Sequence, residues 1–379
     1  MKVLHLISSG GMYGAEAVIL NLSKTLNQGP DQSVLGAFAN SSQPNLQLFE
    51  HAAASGIQAH AIACNGQFDR SVPTSLHRLV QQTGADIVHA HGYKADVYAW
   101  LAFRSSLRGS PRSSQVRLVS TCHTWYDTNL SLRLYGALDR VVLRGFAGVV
   151  AVSDQVRQRL LNAGVRENRV QLIRNGIDLT PFEAARQLSQ SQHQADRPLT
   201  VGLVGRLSWE KNVDLFLRSA AQVLAHLPST RFLVVGDGAD RPKLEALLDQ
   251  LGIRSNVTLL GRTENMPAVY ASFDLMVSSS RQEGLPIAIL EGMASSLPVV
   301  ATAVGAVPTV VRDGVTGSLV PSEDPEALSS AILHLLQNPH LRHSYGAAAR
   351  QLIADDFSAA RMTADYLHLY RQVLNGSSA

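Results

Sequence analysis

Short apolar runs alternate with amphipathic segments along the whole chain, the pattern of parallel strands joined by crossover helices. In the first half KVLHLI (2–7), SVLGAF (33–38), ADIVHAH (85–91), RLVSTCH (117–123), GVVAVS (148–153) and RVQLIRNG (169–176) read as strands. Helical stretches lie between them. AEAVILNLSKTL (15–26) is one, and DQVRQRLLNAG (154–164) another, opened by Ser153 and Asp154 and closed by Gly164. ARQLSQSQHQADRP (185–198) breaks the rhythm, being rich in Gln and Ser with no apolar period, and reads as a linker or exposed loop. The alternation then restarts with LTVGLVG (199–205), RFLVVGDG (231–238), NVTLLG (256–261), DLMVSSS (274–280), LPVVAT (297–302) and GSLVP (317–321). VDLFLRSAAQVLAHL (213–227) and RPKLEALLDQLG (241–252) are helices among these strands.

The pattern predicts an α/β protein of two doubly wound, Rossmann-like domains facing a central cleft. The expected boundaries are 1–180 for the N-terminal domain, 181–198 for the linker and 199–360 for the C-terminal domain. A last amphipathic helix, RMTADYLHLYRQVL (361–374), follows the second sheet, and the segment 361–379 is expected to pack back on the first domain. A chain of 379 residues is too long for one ordinary core and fits two. Open α/β sheets bind ligands at the carboxyl ends of their strands, so chemistry is sought there.

Composition narrows the class. Cys64 and Cys122 are the sole cysteines, far apart and without metal-type spacing, which argues against a disulfide framework. No apolar run reaches the roughly 18 residues of a membrane span. The N-terminal MKVLHLISSGG reads as a first strand rather than a signal peptide. A cytoplasmic protein, at the inner face of the cytoplasmic membrane, is the expectation. The net charge of +3 hides an asymmetry: residues 1–180 hold 17 Lys and Arg against 11 Asp and Glu, the remainder 16 against 19. Arg104, Arg108, Arg112, Arg117, Arg133, Arg140 and Arg144 concentrate the excess. An anionic surface such as lipid headgroups is one partner for such a stretch, and a solvated face is the other reading. Nucleic acid is disfavoured, because no basic run is interleaved with aromatics.

Four features of the second half sit at predicted strand ends. In GRLSWEKN (205–212), Arg206 and Lys211 follow a buried strand and precede a helix, which suits a diphosphate. In VVGDG (234–238), Gly236 allows close backbone approach. RQEGLPIAILEGMA (281–294) places Glu283 on a turn with Gly284 and Leu285, puts Pro286 at the first helical position, and carries Glu291 about one turn inside the helix. A helix rises about 1.5 Å per residue, so the two carboxylates stand several ångström apart, a shape for holding a polyol. Gly305, in ATAVGAVPTVVRDGVTGSLVP (301–321), completes the set.

Together these residues resemble the donor-binding half of the family 4 retaining glycosyltransferases, whose two-domain fold is called GT-B. The resemblance covers nearly the whole chain and is strongest from residue 199 to about 328. It implies that Arg206 and Lys211 hold the donor diphosphate, that Glu283 contacts the transferred sugar and that Glu291 contacts the ribose. Asn212 stands where a glycine is usual, Ala306 replaces a second glycine, and Thr309 replaces a frequent acidic residue. In the first half SSGGMYGAE (8–16), with Gly10, Gly11, Gly14 and Glu16, is similar to the family's first loop, near donor phosphate and acceptor. His123 matches the family's histidine against the transferred sugar, whereas His89 reads as a structural donor.

The implied reaction moves a hexosyl or N-acetylhexosaminyl group from a nucleotide-diphosphate sugar, UDP- or GDP-linked, to a glycan or lipid-linked acceptor in envelope polysaccharide synthesis, with retention. No Asp-x-Asp motif offers Mg²⁺ a seat, so no metal cofactor is expected. Trp125 and Tyr126 are acceptor-side candidates. The competing readings are a nucleotide-sugar epimerase of the same architecture and a non-catalytic sugar or nucleotide binder. A NAD-dependent dehydrogenase is disfavoured by the missing dinucleotide fingerprint.

Overall fold

The computed structural model describes residues 1–8, 11–12, 14–39, 47–66, 69–104, 116–123, 130–183, 186–187, 197–284 and 286–376, with the side chains of 130–135 excepted. The chain forms two compact units, residues 1–176 with 359–379, and residues 177–358.

The first unit is built on a seven-stranded parallel sheet of β1 (Lys2–Ile7), β2 (Gln32–Ala39), β3 (Gln58–Ala63), β4 (Ile87–His91), β5 (Arg117–Cys122), β6 (Gly148–Ala151) and β7 (Val170–Leu172), in the order β3-β2-β1-β4-β5-β6-β7. β3 was not expected from the sequence. QAHAIA lacks a continuous apolar run because it is an edge strand, half open to solvent. The inner strands are buried on both faces and read as apolar stretches for that reason. Ser153 caps the helix Asp154–Asn162, its side chain accepting from the Val156 amide. The helix Ala359–Leu374 belongs to this unit. Its Leu369 and Val373 close on Gly148, where a Cβ would meet both side chains at 3.0–3.2 Å.

The second unit holds a six-stranded parallel sheet: β8 (Thr200–Val204), β9 (Arg231–Val235), β10 (Val257–Gly261), β11 (Leu275–Ser278), β12 (Val299–Thr302) and β13 (Gly317–Val320), in the order β10-β9-β8-β11-β12-β13. Residues 177–183, assigned from sequence to the first domain and the linker, lie in this unit. The reason is packing: Ile177 and Phe182 are buried in its core, Phe182 edge-on to Tyr270 at 5.9 Å. Ile177 donates its amide to Phe357 and bridges Ser358, so the first and last residues of this unit are neighbours.

In both sheets the strand order reverses beside the first strand, between β1 and β4 and between β8 and β11. At such a switch point the two flanking helices diverge to opposite faces and open a crevice at the carboxyl ends.

Candidate active site

Each charged residue of the second unit's site is delivered by a strand flanking that crevice. β8 ends in the loop that carries Arg206, exposed, and the short turn Trp209–Lys211. Lys211 Nζ forms an ion pair with Glu283 Oε1, and the Ser280 hydroxyl donates to the same oxygen at 2.7 Å. The Glu283 side chain is 9% exposed and that of Lys211 21%. Glu283 and Ser280 both follow β11, so cation and carboxylate meet across the switch point. Ser279 fastens the two loops by donating to the carbonyls of Lys211 and Asn212.

Asn212 occupies the left-handed backbone region, with φ 49°, before the helix Val213–Leu224. Asparagine tolerates that region better than any other residue with a side chain bar aspartate and histidine, so it keeps the turn a glycine would make. Its amide donates to Glu323 at 3.2 Å. Two glycines are fixed by backbone crowding. A Cβ on Gly236, at φ 133°, would overlap the Gly205 carbonyl oxygen, and one on Gly305, at φ 57°, that of Glu283. Gly305 therefore serves the turn that carries the first carboxylate, and the Ala306 amide donates to Gly284. Thr309 is spent locally, donating to the Ala306 carbonyl.

Pro286 does not open the helix. It is the cap residue, with ψ 114°, and the helix runs Ile287–Ala294. The proline ring fixes φ but leaves ψ free, so Pro286 can hold the extended ψ of a cap residue as readily as a helical one. Glu291 sits in the second turn, and its Oε2 accepts from the Tyr270 hydroxyl at 2.7 Å. Burial pushes the Glu291 carboxyl up to about 7, and the Tyr270 donation opposes that rise. Nothing in the sequence marks Tyr270: its ring is part of the core, and only its hydroxyl reaches the carboxylate. Ser280 gave no signal either, standing last in a run of three serines.

In the first unit, Gly11 is buried, Gly14 starts the helix Gly14–Asn27, and Glu16 is buried in its first turn, where a carboxylate complements the helix dipole. His123 follows β5 with its ring 5.9 Å from that of His91, and its Nε2 is buried without a hydrogen-bond partner among the described residues. Burial lowers His123 to about 4, so the ring is neutral. His89 uses both nitrogens, with Tyr370 at 2.7 Å and Thr121 at 2.8 Å, and His5 Nδ1 meets His91 Nε2 at 3.0 Å. The ring nitrogens of His5, His89 and His91 lie within 4.8 Å of one another, close enough for a metal ion. The hydrogen bonds already made by His89 compete with that use. On the other side of the sheet Asp96 is buried beside Asp139, and burial and that neighbour push its carboxyl well up. Gly10, Leu285, Trp125 and Tyr126 lie outside the described residues, as do Arg108, Arg112 and the side chain of Arg133.

Two doubly wound sheets, with cations and a carboxylate at the switch point of the second, define a class: two-domain α/β proteins that hold an anionic ligand on the C-terminal sheet. The comparisons narrow it. The description "Glycosyltransferase Family 4" matches residues 12–181 and "Glycosyl transferases group 1" matches residues 198–338. The chain is 28% identical over 315 residues to the alpha-D-kanosaminyltransferase of Streptomyces kanamyceticus, covering 78% of this chain and 79% of that protein. It is 30% identical over 318 residues to the D-inositol 3-phosphate glycosyltransferase of Mycobacterium bovis, covering 78% of this chain and 63% of that one. In structure it is similar to Anabaena HepE solved with UDP and glucose, with a TM-score of 0.83 at 20% identity over 98% of this chain and 99% of the other. The chain belongs to the family 4 glycosyltransferases, and its fold is GT-B.

Proposed function

We propose that the protein transfers a hexosyl or N-acetylhexosaminyl group from a nucleotide-diphosphate sugar to a glycan or lipid-linked acceptor, with retention and without a metal ion, in cell-envelope polysaccharide synthesis. The observation that carries this reading is the Lys211–Glu283 ion pair across the switch point of the second sheet, with Arg206 in the same loop as Lys211. A glycosidic bond to a diphosphate breaks with negative charge gathering on the leaving group. Arg206 and Lys211 stabilise that charge, and the fixed backbone around them needs little reorganisation. Glu283, held from behind by Ser280, orients the sugar hydroxyls, and His123 takes the place of the family's sugar-facing histidine. Glu291 binds the ribose. The leaving phosphate takes the acceptor's proton, with Glu283 given to the sugar and Glu291 to the ribose. UDP is the favoured nucleotide; HepE, solved with UDP and glucose, supports it by analogy of fold.

The membrane part of the reading rests on the helix Leu130–Val142, where Leu138 and Val141 are 38% and 57% exposed and Arg140 and Arg144 stand nearby. Among the described residues no helix is long and apolar enough to cross a membrane. An apolar strip flanked by arginines suits the headgroup layer of an anionic bilayer.

The test is a thermal-shift panel of UDP, GDP and ADP in EDTA, on wild type and on Arg206→Ala. At a hundred times Kd, a bound nucleotide stabilises by about 2.7 kcal/mol. Selective stabilisation by one diphosphate, lost in the variant and retained in EDTA, supports the reading. A flat response to all three refutes it.

A further inference from the structure

Glu291 is held by a residue outside every motif that marks the site. Tyr270 lies on the short helix Met266–Ala271 and is wholly buried. Its ring is wedged edge-on against Phe182 at 5.9 Å and Phe273 at 6.0 Å, so the phenol has one orientation. Phenylalanine would fill that space equally well. The hydroxyl is the part that packing does not explain, and its bond is the one to Glu291 Oε2. A buried phenol without a partner is costly, so hydroxyl and carboxylate fix each other. Glu291 Oε1 carries no hydrogen bond among the described residues, which leaves it for a ligand. The backbone beneath is equally constrained: a Cβ on Gly292 would overlap Met276 Sδ, so this turn of helix lies flush on β11.

We propose that Tyr270 is a positioning residue for the donor nucleoside, anchoring one oxygen of Glu291 so that the other faces the ribose hydroxyls. The proposal rests on the donor-site reading above. Its second consequence is a pH dependence. Ribose hydroxyls donate to an ionised Glu291, and burial holds that carboxyl near 7, with Tyr270 favouring the ionised form. The surrounding groups add little. β11 and β12 present no titratable side chain, and Arg350, on the helix Pro339–Asp356 packed against this one, is engaged by the Ala294 carbonyl and Glu183. Nucleotide affinity therefore rises as pH climbs through about 7 in the wild type.

Isothermal titration of UDP, with GDP in parallel, from pH 5.5 to 9 tests this on the full chain. Tyr270→Phe is expected to weaken binding about tenfold at pH 7, in line with losing a hydrogen bond to a charged group. It is also expected to move the pH midpoint upward, with the loss falling on donor KM rather than kcat. Glu291→Gln, which cannot ionise, is expected to bind weakly and without pH dependence. A purely structural tyrosine would lower the melting temperature and leave the midpoint in place; that result, or unchanged affinity in Tyr270→Phe, overturns the proposal. If the wild type binds neither nucleotide, the donor-site reading itself fails and this inference falls with it.

Discussion

Removing Lys211 exposes what the ion pair contributes. In Lys211→Met the Glu283 carboxylate stays 9% exposed in the fold and keeps only the Ser280 hydroxyl as a donor among the described residues. Breaking a fully buried pair from one side costs about 3–5 kcal/mol. Water reaches this pair along the lysine, one-fifth exposed, so about 2–3 kcal/mol is expected here. Glu283→Gln is milder, about 1 kcal/mol, because the ammonium left behind swings to solvent on a flexible stem. The double variant should be no worse than Glu283→Gln within about 0.5 kcal/mol, giving a coupling of about 2–3 kcal/mol. Urea unfolding followed by amide exchange in β8 and β11 isolates the second unit, which two-unit chains require. Additive single effects, within about 0.5 kcal/mol, would refute the claim that cation and carboxylate act as one unit across the switch point.

The two units should respond oppositely to mild acid. In the first, burial holds His5 near 3 and His123 near 4 and lowers His89 and His91 well below 6.5. The unfolded chain then binds more protons, so stability is full above pH 6.5 and falls below it, by up to about 1.4 kcal/mol per pH unit for each histidine; Asp96, raised, offsets one of them. In the second, Glu291 is raised to about 7 from 4.5, so its contribution is full below pH 4.5 and is lost as pH rises through 7. Calorimetry from pH 5 to 7.5 that shows both transitions moving together would contradict this. Gly346→Ala should destabilise the second unit by about 2–3 kcal/mol, since its Cβ would overlap the Ser296 carbonyl, whereas Gly56→Ala meets no atom and should cost about 1 kcal/mol for its φ of 67°. Leu138→Glu with Val141→Glu should abolish co-sedimentation with phosphatidylglycerol vesicles at low salt; wild type that fails to sediment removes the membrane reading.

Much of the fold is legible in the sequence because parallel strands, covered on both faces, must be written as unbroken apolar runs. β3 escapes because an edge strand need not be, and QAHAIA places three small alanines and a histidine where a central strand has Val or Ile. At the site, Arg206, Lys211, Glu283 and Glu291 stand out because a charge beside a buried strand end needs a reason. Ser280 and Tyr270 do not, because a serine near a turn and a tyrosine on an apolar face are ordinary; their roles depend on which carboxylate lies opposite, a fact of three dimensions. Asn212 shows the reverse, a departure from the family's glycine that the left-handed backbone renders conservative.

The second unit is an uninterrupted stretch of chain, while the first is completed by a helix from the far end of it. During synthesis, residues 177–358 emerge whole before Ala359–Leu374 leaves the ribosome. Until then His89 and Thr121 lack the Tyr370 and Tyr366 hydroxyls they bond, and Gly148 lacks its cover. The part made first is therefore the part finished last. A chain truncated near residue 360 and released would hold a complete second unit and an unfinished first one, a ready substrate for a chaperone or protease.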